Sequence, residues 1–206
     1  MVVIDATTLM LFFRPDVCIP AGPDGVPIDF AKERVENLIK DLEKSRDKLV
    51  VPTPVLSEIL VRAGADVSQQ IIERLNRYSV FTIEPFGARA AIEVAAMSRA
   101  AIDGGNKRGD SKSPWAKVKF DRQVVAIAKV VGASMIYSDD EDVRKIAAKI
   151  DIPVSGLVDL PIPDDARQGK FQFEPKSKPN EPTPNDETTK KKQTKKRKTS
   201  KQKRTP

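Results

Sequence analysis

The sequence predicts an α/β domain built on a mostly parallel five-stranded sheet with helices on both faces, followed by a basic disordered tail. Three observations carry this. Short apolar runs alternate with segments of helical periodicity from residue 1 to about 158, the pattern of strands joined by crossover helices. The first run, MVVI, is continuously apolar, as suits a strand covered on both faces. From Lys170 onward the apolar pattern fades into Pro, Thr, Lys and Gln, a composition that buries too little surface to offset chain entropy. The expected division is a domain over residues 1–160 and a proline- and lysine-rich tail over 161–206.

Taken in order, MVVIDATTLMLFF reads as a strand to about Asp5, then a turn and a short apolar helix. Pro15, Pro20, Gly22, Pro23, Gly25 and Pro27 make a loop, an insertion spanning about 14–28. Asp29 is placed to cap a helix in which Ala31, Val35, Leu38, Ile39 and Leu42 share one face. LVVP is the second strand, and Thr53-Pro54 opens the next helix with a capping hydroxyl ahead of proline. Ser68 opens another helix, SVFTIE is the third strand, and an alanine-rich helix runs from about Phe86 to Ala101. Residues 103–119 break the pattern and read as a long basic loop around Trp115, the only tryptophan. A helix from Phe120 then places Asp121, Val124, Val125, Ala128 and Val131 on one face, turning a carboxylate toward the apolar side. ASMIYS, DDEDVRKIAAKI and IPVSG follow as strand, acid-started helix and strand.

Composition removes whole classes of chemistry. There is no histidine and a single cysteine, Cys18. Triads built on an imidazole base are excluded, and so is a Cys/His zinc site. One cysteine forms no internal disulfide, which fits a reducing cytoplasm. The N-terminal run lacks a basic flank and is interrupted by Asp5, unlike a signal peptide, and no stretch reaches membrane-spanning length. The net charge is +7, yet residues 170–206 hold 13 Lys/Arg against 4 Asp/Glu. The positive excess therefore belongs to the tail.

Against that background, acidic residues set in apolar elements stand out: Asp5, Glu58, Asp121 and the cluster Asp139, Asp140, Asp142. A buried carboxylate is costly unless paired, neutralised or metal-bound. In a parallel sheet, ligands collect beyond the carboxyl ends of the strands, where Asp5 and Asp139/Asp140 fall. Converging carboxylates require a cation, and oxygen-only donors point to Mg²⁺ or Mn²⁺. Such an ion suits phosphodiester hydrolysis, which needs no histidine. Thr7 and Ser138, beside acidic residues, are placed to support the carboxylates by hydrogen bonds.

VVIDATTLM, PVLSEIL and FDRQVVAIAKVVGASMIYSDDEDV, in that order, resemble the PIN-domain ribonucleases, most of all the VapC-type toxins of bacterial toxin–antitoxin pairs. The resemblance spans roughly residues 1–158. It implies a three-layer sandwich with strand order 3-2-1-4-5, metal-dependent cleavage of RNA, frequent homodimers and a cognate antitoxin partner. It matches Asp5, Glu58 and Asp121 to the first three family acids and makes Asp140 the fourth, with Asp139 and Asp142 as weaker candidates. The loops at 14–28 and 103–119 and the lysine-rich tail depart from the compact toxin, which bears on biological role more than on chemistry.

Lys107, Arg108, Lys112, Lys117 and Lys119 around Trp115 form a candidate RNA clamp, with lysines on phosphates and the indole on an unpaired base. In the tail, Lys195, Lys196 and Arg197 lie among ten basic residues between Lys190 and Arg204 and suit salt-sensitive, non-specific contact with RNA. The competing reading is a catalytically inactive PIN-like module that binds RNA or a protein partner. A haloacid-dehalogenase-like phosphatase also begins with a strand and Asp, but needs a second Asp where this chain has Thr7.

Overall fold

Strand β1 (Val2–Ile4) is wholly buried and lies at the centre of a five-stranded sheet in the computed structural model, which describes residues 1–168 except 15, 16 and 23. All pairings within the sheet are parallel and the order is β3-β2-β1-β4-β5, with β2 Leu49–Pro52, β3 Phe81–Glu84, β4 Ile136–Tyr137 and β5 Val154–Ser155. The lack of alternation in β1 and β2 follows from their position, because a central strand has no solvent face.

Helices α1 (Ala6–Phe13), α2 (Ala31–Ser45), α3 (Thr53–Ala63) and α4 (Ala65–Arg77) connect β1 to β2 to β3. Helices α5 (Ala88–Asp103), α6 (Trp115–Val130) and α7 (Glu141–Ala148) connect β3 to β4 to β5. The strand order reverses direction at β1, so right-handed crossovers place the first group on one face and the second on the other. A crevice opens between β1 and β4, where connections leave in opposite directions. Ile4, Leu9, Leu49, Ile59, Ile127 and Ile136 are fully buried between the layers, each stabilising the fold by about 1.5–3 kcal/mol. Among the described residues no helix is long and apolar enough to cross a membrane.

Four expected helix starts differ from those observed. Asp29 is not the cap of α2; Phe30 holds that place in the left-handed region (φ 56°), and Arg34 Nε donates to the Asp29 carbonyl. Thr53 lies inside α3, behind Pro52, and its hydroxyl accepts from Phe86 N–H at 2.9 Å, tying α3 to the end of β3. Helix α4 starts at Ala65, and Ser68 within it bonds back to the Gly64 carbonyl at 2.7 Å. Helix α6 starts at Trp115, five residues before the expected Phe120, directly after Pro114. Its extra turn is held from within: Val118 is fully buried, Lys117 pairs with Asp121 one turn on, and the Arg122 guanidinium lies 5.3 Å from the Trp115 ring centre. A 3-10 turn at Leu157–Asp159 and a short helix α8 (Asp164–Gln168) follow β5. Arg34 donates to the Leu157, Val158 and Leu160 carbonyls, fastening this segment to α2.

Candidate metal centre

Asp5 stands where β1 becomes α1. Its backbone N–H donates to the Tyr137 carbonyl of β4, and its carboxylate caps α1 by accepting from Thr8 N–H at 2.8 Å. The other carboxylate oxygen accepts from the Ser138 hydroxyl at 2.5 Å. Ser138 is 1% exposed, and its oxygen also accepts from Asp140 N–H at 3.1 Å, so one hydroxyl joins the ends of β1 and β4. Burial raises the Asp5 carboxyl above its ordinary range, opposed by the bonds from Ser138 and Thr8.

Asp140 caps α7, accepting from Asp142 N–H at 2.8 Å. That leaves its second oxygen facing Lys117, 2.7 Å from the ammonium. Asp121, one turn into α6 from Lys117, lies 2.9 Å from the same nitrogen, and Asp142 lies 3.4 Å from it. Asp142 also accepts from the Ser113 hydroxyl at 2.5 Å. Burial pushes Asp121 up to about 6; Lys117 opposes this, and the charges of Asp140 and Asp142 add to it. Asp142 is held below the usual carboxylate range because the Ser113 and Ser111 hydroxyls and Lys117 outweigh its burial. For Lys117, burial works against the charged form, but bonds to Asp140 and Asp121 raise its pKa overall.

Asp5, Thr7, Glu58, Asp121, Asp139 and Asp140 line one cavity of about 620 Å³, together with Arg62, Lys117 and Phe120. The four acids expected as ligands thus come from four different elements to one space. Glu58 reaches it from α3 and is paired with Arg62 one turn later. Asp139 turns toward the 3-10 segment and accepts from Leu157 N–H at 2.9 Å. Gly156 permits that approach, since a Cβ there would lie 2.5 Å from the Asp139 oxygen. Ser138 bonds to Asp5 and Asp142 to Lys117, but neither is in the cavity lining.

The donor set fits a hard divalent cation. Oxygens of Asp121, Asp140 and Asp142 lie within 4.8 Å of one another, slightly wider than the roughly 4.2 Å that opposite ligands span across Mg²⁺. Asp5, Glu58 and Asp139 add carboxylate charge to the same cavity. The geometry groups Asp142, matched only weakly in sequence, with Asp121 and Asp140.

The residues of the expected clamp lie in different settings. Lys117 belongs to the acidic centre, and Lys119 lies two residues further along α6, exposed. Trp115 is half-buried with Lys107 and Arg122 over its ring, at 5.5 and 5.3 Å. Lys107, Arg108 and Lys112 are exposed on the loop before α6. Lys195, Lys196 and Arg197 lie outside the described residues. What sequence reasoning missed was the role of Lys117 and of Arg62; the signal was the four-residue spacing to Asp121 and Glu58, legible once both residues of each pair are placed on one helix.

No family model matches the sequence, and no curated protein matches it. Solved structures do. A chain of FitAB bound to an IR36 DNA fragment is similar over 78% of this chain and 98% of its own, with a TM-score of 0.50 and 16% identity. A chain of VapBC2 from Rickettsia felis, bound to a DNA fragment from its promoter, covers 76% and 98% respectively, at a TM-score of 0.48 and 13% identity. The likeness to the first agrees with the fold that the motif resemblance implies. By fold the chain is a PIN-like α/β domain, with its acidic cavity at the switch point of the sheet.

Proposed function

We propose that this chain is a metal-dependent endoribonuclease that hydrolyses RNA phosphodiester bonds. The observation that carries the reading is the meeting of Asp5, Glu58, Asp121 and Asp140 in one cavity, each from a different element. Carboxylates gathered this way repel one another, a cost that a bound cation offsets. Asp121 and Asp140 would hold the ion, with Asp142 beside them and Asp5 and Glu58 across the cavity. Bound there, Mg²⁺ or Mn²⁺ supplies Lewis-acid activation of the phosphodiester and its attacking water. The chain's own contribution is orientation: Ser138 fixes Asp5 and the Asp140 backbone at once, and Arg62 fixes Glu58.

The test is cleavage of single-stranded RNA by the full chain with Mn²⁺ or Mg²⁺, with chelator, and after Asp5→Asn. Cleavage that needs the ion and falls at least about a hundredfold in the variant is expected. Intact RNA under every metal condition, with tight salt-dependent binding, supports the inactive RNA-binding module instead.

The resemblance of its motifs to those of VapC-type toxins supports a role as the toxin of a two-protein pair with an antitoxin partner. Induction of the chain alone is then expected to arrest growth, and Asp121→Asn to relieve the arrest. Growth unaffected by the active chain favours a housekeeping nuclease.

A further inference from the structure

The Lys117 ammonium sits among carboxylate oxygens that a divalent ion would need. It lies 2.7 Å from Asp140, 2.9 Å from Asp121 and 3.4 Å from Asp142, touching all three carboxylates whose oxygens cluster within 4.8 Å. A charged ammonium has three donors and no lone pair, so it satisfies these oxygens but cannot join them as a ligand. An ion bound by the same oxygens competes with it. Metal–oxygen distances of about 2.1 Å would draw the carboxylates inward and bring two cations into contact. Lys117 starts from the first turn of α6 and its side chain is 40% exposed, so rotation of its flexible stem suffices to withdraw the charge.

We propose that Lys117 is an internal counter-ion that holds Asp121, Asp140 and Asp142 together in the metal-free chain, and that a divalent ion must displace it to bind. The proposal rests on the metal-dependent reading above and adds to it that Lys117 engagement and ion occupancy exclude each other. The pair of cations then sets a threshold: at low divalent concentration the centre is closed by the chain itself.

Calorimetric titration of the full chain with MnCl₂ tests this directly, without any activity measurement. Lys117→Gln and Lys117→Met are compared with the parent chain and with Lys145→Gln, which removes an equal charge outside the cavity, where Lys145 pairs with Glu141. Both Lys117 variants are expected to bind Mn²⁺ about tenfold more tightly or better, and the Lys145 variant like the parent. Thermal melts provide the second readout. The Lys117 variants are expected to melt lower than the parent in EDTA and to gain more from Mn²⁺, since the ion replaces the lost charge; a variant folded only with Mn²⁺ gives the same support. Unchanged or weaker Mn²⁺ binding in both variants overturns the proposal and leaves the metal reading standing. Variants unfolded with and without Mn²⁺ also overturn it, because Lys117 would then act as more than a replaceable cation. Absence of Mn²⁺ binding in every chain, parent included, removes both readings together.

Discussion

At Asp121 stability depends on the protonation of a single residue. Its carboxyl is raised from 3.8 to about 6 because burial outweighs the Lys117 ion pair. An acid with a raised folded-state value favours folding while protonated, so the contribution is complete below pH 3.8 and is lost as pH rises through 6. In EDTA, the unfolding free energy is therefore expected to fall between about pH 4 and pH 6, by roughly 3 kcal/mol from this group. Denaturant titrations across that window measure it. Asp121→Asn removes the buried charge, so the metal-free variant is expected to melt higher than the parent at pH 7 while losing cleavage. A lower melting temperature would show that its pairing with Lys117 dominates its burial. Below pH 6 the proton competes with the ion, and Mn²⁺ affinity is expected to weaken by up to tenfold per pH unit.

Elements hold the centre through their ends. Asp5 is both a wall of the cavity and the cap of α1. Asparagine caps as well as aspartate does, so Asp5→Asn is expected to keep the melting temperature within a few degrees while cleavage collapses. Asp5→Ala loses the cap as well and is expected to cost about 1 kcal/mol more. Ser138→Ala cuts the link between the ends of β1 and β4; a loss of about 1–3 kcal/mol together with a 10- to 100-fold fall in activity is expected from melts and kcat/KM. An unaltered kcat/KM would remove Ser138 from the supporting role. The elements also show where sequence reasoning stops. The apolar face of α2 was readable residue by residue, since Val35, Leu38, Ile39 and Leu42 are all buried. The start of α6 was not, because a basic, turn-rich stretch gives no local sign that Val118 will be buried and Trp115 packed beside Arg122.

At the scale of the whole molecule, charge is divided between a domain with an acidic cavity and a C-terminal segment carrying 13 of the 36 basic residues. An RNA substrate, as proposed, would meet repulsion from the acidic cavity and attraction from the basic segment. Deleting residues 169–206 is expected to leave the melting temperature unchanged and to weaken RNA binding, with a shallower dependence of log affinity on log salt. An unchanged slope would show that the tail neutralises no phosphates.

By itself, the sequence determined the α/β class, the central apolar strand, and the chemistry left open when histidine is absent and carboxylates sit in apolar elements. These depend on residue type and local periodicity, which one chain displays. The motif resemblance added the strand order and the identities of Asp5, Glu58, Asp121 and Asp140 as acids that meet. Tertiary structure alone decided that Lys117, within helical reach of Asp121, also meets Asp140 and Asp142, and that the Ser138 hydroxyl, expected only to support a neighbouring carboxylate, joins Asp5 to the Asp140 backbone. Lys117 and Asp142 are 25 residues apart, Ser138 and Asp5 are 133. Contacts over such separations are set by how β1, β4, α6 and α7 pack, and no local pattern encodes them.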